Sequence, residues 1–284
     1  MNLEAKTLTL NGALVQYWEA GAPDAAVLVL IHGGLGDAHM HWASVLAPLA
    51  EQYRVVAPDL PGYGGSAPLP TVTADALVAW LHQFITALES GPVVVIGNSI
   101  GAWFARLYAS AHADQVKALI MVNGGELPQA PPLLRWAART PGIRSVAAAV
   151  MGRAMGGRAT INDMIYDKRA DRAEVYAQGK AAGPVFGRLI GDLLAGDPPT
   201  NQKPQVPTLL LWGAEDRVAT LSYAKQLKKT LPGAQLQEIS EAGHLPQVEA
   251  PDAFSFQVTS YLERLSEPPR PDFGGVGMLP SEQP

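Results

Sequence analysis

The chain has no cysteine. Disulfides, thiolate metal sites and a cysteine nucleophile are therefore excluded at the outset. Basic residues are outnumbered: 21 Lys and Arg against 26 Asp and Glu leave a formal charge of −5. That balance lacks the clustered positive surface a nucleic-acid partner needs. No apolar run approaches the ~18 residues that span a bilayer. The first residues, Met1-Asn-Leu-Glu-Ala-Lys6, carry an acid and no apolar core, unlike a secretory signal. The expectation is a cytoplasmic monomer or homodimer with neither a nucleic-acid nor a membrane partner. Apolar content is ample by contrast. The 284 residues are 48% hydrophobic and 17% charged, enough for one large α/β domain, or one domain with an insertion.

The rest of the chain is organised around Pro92-Val-Val-Val-Ile-Gly-Asn-Ser-Ile-Gly101. The β-branched run Val93 to Ile96 predicts a fully buried strand. It leads directly into Gly97-Asn98-Ser99-Ile100-Gly101, which fits the pattern G-x-S-x-G, and then into the helical pattern Ala102 to Ala109. Strand, tight turn with a serine at its tip, then helix is the context that pattern requires. The flanking glycines have a steric role, because side chains beside so sharp a turn would collide.

Strand and helix patterns alternate through most of the chain. Asn11-Gly12 separates two alternating runs, Thr7 to Leu10 and Ala13 to Trp18, which predicts a hairpin of two antiparallel edge strands. Ala26 to Ile31, Arg54 to Pro58, Val116 to Val122, Val206 to Trp212 and Gln235 to Ile239 read as further strands. Helices are expected at Ser44 to Glu51, Thr73 to Leu88, Ser222 to Leu231 and Asp252 to Leu265. The fold class is α/β: a mostly parallel central sheet with helices on both faces and its ligand site outside the carboxyl ends of the strands. The rhythm breaks from Glu126 to about Lys203, a proline- and glycine-interrupted helical stretch rich in arginine. It reads as a helical cap. The expected organisation is a core of residues 1–125 and 204–266, a cap of 126–203, and a Pro- and Gly-rich tail of 267–284 expected to be disordered.

A serine hydroxyl needs a positioned base, and that base needs an orienting acid. His244, in Glu241-Ala-Gly-His-Leu-Pro, lies in a loop between the last strand and the last helix, and the order serine, acid, histidine selects it. His82 and His112 fall in helical patterns, whereas His39 and His41 flank a glycine loop and could line a pocket. Asp216 follows its strand by a few residues and is the acid candidate, with Glu215 its neighbour and rival. Asn123 stands at another strand tip, where it cannot stabilise an imidazolium by charge. Two backbone donors are expected to hold an oxyanion: the Ile100 N–H and the Gly34 N–H of His32-Gly33-Gly34. Asp59 with its neighbouring glycines reads as a structural turn. Candidate pocket residues are Gly33, Met40, Trp42, Asn98, Trp103, Trp136 and Leu245, with Leu133 and Met155 as further cap candidates. No metal site is read.

These motifs together resemble the α/β-hydrolase fold superfamily from about residue 7 to 265: His32-Gly-Gly, Asp59-Leu-Pro-Gly-Tyr-Gly-Gly-Ser66, Gly97-Asn-Ser-Ile-Gly101, Gly213-Ala-Glu-Asp216 and Gly243-His244. The resemblance implies a Ser99–His244–Asp216 triad, a lid between the sixth and seventh core strands, an acyl-enzyme route and no cofactor. Carboxylic-ester or lactone hydrolysis is the expected activity. Asn98 is also similar to the meta-cleavage-product hydrolases, which break carbon–carbon bonds; that group places tryptophan after the histidine, where this chain has Leu245. A ligand receptor on the same scaffold is a third alternative, distinguishable by turnover.

Overall fold

Among the described residues eight strands form one sheet in the order β1-β2-β4-β3-β5-β6-β7-β8. They are β1 (Ala5–Leu10), β2 (Ala13–Ala20), β3 (Val27–Ile31), β4 (Arg54–Pro58), β5 (Val93–Asn98), β6 (Val116–Val122), β7 (Thr208–Gly213) and β8 (Gln235–Ile239). From β4 through β8 every pairing is parallel. The computed structural model describes residues 4–127, 131–167, 173–197, 199 and 203–267. The expected tail beyond 267 lies outside the described residues.

The parallel strands inside the sheet, β3 to β7, are buried on both faces because their side chains alternate between two cores. Val27, Val29 and Ile31 of β3 join Val93 and Val95 of β5 on one face. Helices α2 (Ala74–Ala87), α3 (Ile100–Ala111) and α8 (Leu221–Thr230) cover it with Trp80, Phe84, Phe104 and Leu227. Leu28, Leu30, Val94 and Ile96 point the other way, under α1 (Ala38–Ala50) and α10 (Pro251–Ser266), which supply Trp42, Leu46, Phe254 and Tyr261.

Two boundaries differ from the sequence expectation for clear reasons. The hairpin contains a single edge strand: β1 is at the edge, but β2 also pairs antiparallel with β4 through Tyr17 to Ala20. Helix α1 begins at Ala38, before the expected Ser44, because Asp37 caps it by accepting the Met40 N–H at 2.8 Å. Asp59 adds a second hold on the same terminus, accepting the Ala38 N–H at 2.9 Å. Its other oxygen takes the Gly65 N–H at 3.0 Å and Gln16 Nε2 at 2.9 Å, as a turn-building carboxylate does.

Between β6 and β7 the described residues form helices α4 (Pro132–Arg139), α5 (Pro141–Met155), α6 (Arg158–Met164) and α7 (Ala173–Ala195). Helices α5 and α7 touch backbone to backbone, since a Cβ on Gly152 or Gly187 would collide with the carbonyl of Gly183 or Ala148. A third apolar cluster joins these helices to the core: Ile161, Met164, Ile165 and Val175 pack on Leu35 and Leu245.

Candidate active site

The carboxyl ends of β3, β5, β6, β7 and β8 bring five loops together at one edge of the sheet. Ser99 follows β5 at φ 57°, ψ −121°, a conformation an L-residue rarely adopts. Strain there is of order 1–3 kcal/mol, held by surrounding contacts. The turn can be this tight because Gly97 and Gly101 lie against each other, and Gly101 lies against the carbonyls of Ile31 and His32. Ser99 N donates to Val122 O at 2.8 Å. Among the described residues the Ser99 hydroxyl makes no hydrogen bond to another protein group.

His244 and Asp216 meet although 28 residues separate them: Nδ1 of His244 lies 2.8 Å from Oδ2 of Asp216. Both are buried. Each Asp216 oxygen has a defined role. Oδ1 accepts the Val218 and Ala219 N–H groups at 2.7 and 3.0 Å, while Oδ2 faces His244 and Asn123 Nδ2, the latter at 2.5 Å. Glu215, the rival acid, is exposed. With Nδ1–H donated to a carboxylate, Nε2 carries the free lone pair a general base requires. Asn98 ties this histidine to the serine turn, its Nδ2 donating to His244 O at 3.1 Å and Val122 O at 3.3 Å.

The glycine loop after β3 is set by two buried histidines. His32 Nδ1 lies 2.7 Å from Gly33 O, and its Nε2 accepts the Leu60 N–H at 2.9 Å. The tautomer follows: Nδ1–H donates to Gly33 O. In a trans peptide the N–H of Gly34 points opposite to that carbonyl, so His32 aims the Gly34 N–H away from itself. Gly33 lies beside Ser99, since a Cβ there would come 3.3 Å from Ser99 Cβ. Ile100 opens α3, so its N–H has no partner within the helix and sits at its positive end. His41 Nε2 lies 3.0 Å from Leu35 O, and Nδ1 lies 3.5 Å from both Gly33 N and Gln247 Nε2. Burial lowers both imidazoles, His41 to about 3, which keeps them neutral near neutral pH.

The helical insertion reaches this edge at two points. The Phe186 ring of α7 rests on Gly34, leaving no room for a side chain there. The segment after α6 crosses the His244 loop, with His244 N donating to Met164 O at 2.7 Å. One carboxylate clamps the two together. Glu249 lies in a short helix α9 (Pro246–Glu249) and accepts Tyr166 N at 2.6 Å and Asp167 N at 3.4 Å from the insertion, and Gly243 N at 3.0 Å and Leu245 N at 3.3 Å from the histidine loop. Burial pushes its carboxyl up, against the pull of these N–H groups.

The candidate pocket residues divide. Met40 and Leu245 join the apolar cluster between insertion and core, as does Met155, and Gly33 and Asn98 lie against Ser99 or His244. Trp42 is wholly buried behind the sheet, 6.1 Å from the Phe254 ring, and belongs to the far core instead. Trp103 packs beside Phe104 at 5.3 Å in the near core. Trp136 and Leu133 are 58% and 71% exposed on α4, because α4 turns that face to solvent rather than inward. A cavity of about 350 Å³ lies between α7 and the loop after β4, lined by Leu60, Tyr63, Leu69, Phe104, Val185 and Arg188, among others. Sequence reasoning missed Glu249, and it dismissed Asn123 and left His41 undecided; nothing local in the sequence reveals that Asn123 meets Asp216 across 93 residues. Among the described residues no group of three His, Asp or Glu side chains could hold a metal ion.

The family model described as alpha/beta hydrolase fold matches residues 26–251. A 2-hydroxy-6-oxo-6-(2'-aminophenyl)hexa-2,4-dienoic acid hydrolase of Metapseudomonas resinovorans is 28% identical over 90% of each chain. A pimeloyl-[acyl-carrier protein] methyl ester esterase of Chromobacterium violaceum is 29% identical over 82% of this chain and 91% of its own. A thermophilic esterase structure from Thermogutta terrifontis superposes with a TM-score of 0.76 at 23% identity, covering 94% of this chain and all of the other.

Proposed function

The chain belongs to the α/β-hydrolase fold family, and within it we propose a serine hydrolase that cleaves a small or medium carboxylic ester or lactone through an acyl-enzyme. The observation that carries this reading is the His244–Asp216 hydrogen bond beside a strained serine turn, linked to it by Asn98. His244 Nε2 takes the Ser99 proton as Oγ attacks the carbonyl carbon. The oxyanion rests on the Gly34 and Ile100 N–H groups; loss of one such donor costs roughly 3–4 kcal/mol of barrier. His244 then protonates the leaving alcohol, and water repeats the cycle on the acyl-enzyme. Asp216 fixes the imidazole tautomer and stabilises its charge. No step needs a cofactor.

Helices α4 to α7 act as the lid, a role supported by the Phe186 ring over Gly34 and by the Met164 contact to His244. Carbon–carbon hydrolysis of a dienoate is the second reading, favoured by Asn98 and by the resinovorans relative. The test is turnover of p-nitrophenyl acetate, butyrate and octanoate beside a ring-cleavage dienoate, for wild type and Ser99→Ala. Ester turnover that drops about a thousandfold or more in Ser99→Ala is expected. Fast dienoate turnover with inert esters promotes the second reading, and undiminished activity in Ser99→Ala removes the nucleophile.

A further inference from the structure

On sequence Asn123 looks like a strand tip that failed to supply an acid. In the structure its wholly buried side chain uses both amide donors and accepts at its oxygen. Nδ2 donates to Asp216 Oδ2 at 2.5 Å and to Gly243 O at 3.2 Å, and Oδ1 accepts the Gly213 N–H at 3.0 Å. One amide thus joins the tip of β6 to the end of β7 and to the residue before His244. Its backbone sits in the left-handed region at φ 47°, which asparagine tolerates better than most residues.

We propose that Asn123 is a positioning residue that sets both the orientation and the basicity of the Asp216–His244 pair. This rests on reading Asp216 and His244 as the acid and base. The argument turns on the shared oxygen. Asp216 Oδ2 faces both the His244 ring and the Asn123 amide, while Oδ1 is spent on Val218 and Ala219. A fixed N–H on Oδ2 draws negative charge from the oxygen that steadies the imidazolium. Removing the Asn123 amide returns that charge to Oδ2 and strengthens its hold on the imidazolium. Other titratable groups around the pair act from further off. His41 is neutral, Glu249 holds backbone N–H groups of the His244 loop, and Glu215 and Arg217 point to solvent.

The experiment measures kcat/KM against pH for the full chain as wild type, Asn123→Ala and Asp216→Asn. Thermal unfolding is followed for each. In Asn123→Ala the acid limb is expected to move up by about one pH unit, with activity at pH 7 down severalfold and largely regained at pH 9. The His244 ring titration by NMR reads the same upward shift without relying on turnover. An unshifted ring titration in folded Asn123→Ala overturns the proposal. A wild type inert to every ester and dienoate undermines the hydrolase reading instead, and the ring titration still decides the role of Asn123.

Discussion

Replacing His41 by asparagine is expected to remove much of the acid sensitivity of this fold. His41 is fully buried between the glycine loop and Gln247, and burial lowers its pKa from the ordinary 6.5 to about 3. The sign follows from proton uptake. Below pH 6.5 the unfolded chain protonates this imidazole and the native state does not, so each further unit of acid favours unfolding by about 1.4 kcal/mol. The stability from a neutral His41 is fully present above pH 6.5 and is lost as pH falls towards 3. Between pH 6.5 and 5 the loss is about 2 kcal/mol, a large share of a typical stability of roughly 5–15 kcal/mol. His32, also lowered by burial, adds to the same slope. The assay is urea unfolding at pH 7 and pH 5 for wild type and His41→Asn. The variant starts less stable at pH 7, by about 1–3 kcal/mol, because the ring bonded to Leu35 O is gone. Its further loss on going to pH 5 is expected to be about 2 kcal/mol smaller than that of wild type. Equal losses in both proteins would show that His41 accepts a proton in the native state and would refute the reasoning.

Glu249→Gln turns an amide N–H₂ towards at least one pair of backbone donors, so urea unfolding should report a loss of about 2–4 kcal/mol, and kcat should fall with it as the His244 loop loosens. A stability within about 0.5 kcal/mol of wild type would show that the clamp carries little energy. Gly124→Ala drives a methyl into the Ser99 backbone, where no flexible side chain can yield, so kcat towards p-nitrophenyl butyrate should drop about a hundredfold. Phe186→Ala lifts the ring off Gly34, and the ratio of octanoate to acetate turnover should rise about tenfold; an unchanged chain-length profile would show that this ring does not bound the substrate path.

The sheet was legible because its strands obey a local rule. Runs such as Val93 to Ile96 and Val116 to Val122 are apolar at nearly every position, and only strands covered on both faces can be. Ser99 was legible for a similar reason, since a serine between two glycines at a strand end fits few other geometries. The start of α1 was hidden because its cap, Asp37, works with a second carboxylate at Asp59 from a different loop. Trp42 and Trp136 show the limit of reading pockets from aromatic residues. One faces the far core and the other faces solvent, and each direction depends on helix rotation against partners distant in sequence.

Asn98, Asn123 and Glu249 share one physical logic, which the sequence could not display. His244 sits on a loop after an outer strand, and a loop so placed must be held if a proton is to move along a fixed line. The ties all run to its backbone or through its partner: Asn98 to His244 O, Asn123 to Gly243 O and Asp216, Glu249 to the Gly243 and Leu245 N–H groups. The two ties nearest the imidazole are neutral amides. A second full charge in those places would compete with Asp216 for the imidazolium outright, whereas an amide acts on it only through its dipole. The charged tie, Glu249, acts on backbone at the margin where the insertion crosses the loop. Glu249 only holds, whereas Asn123 both holds and tunes, so removing Glu249 should lower kcat without moving the acid limb, while removing Asn123 should move the limb.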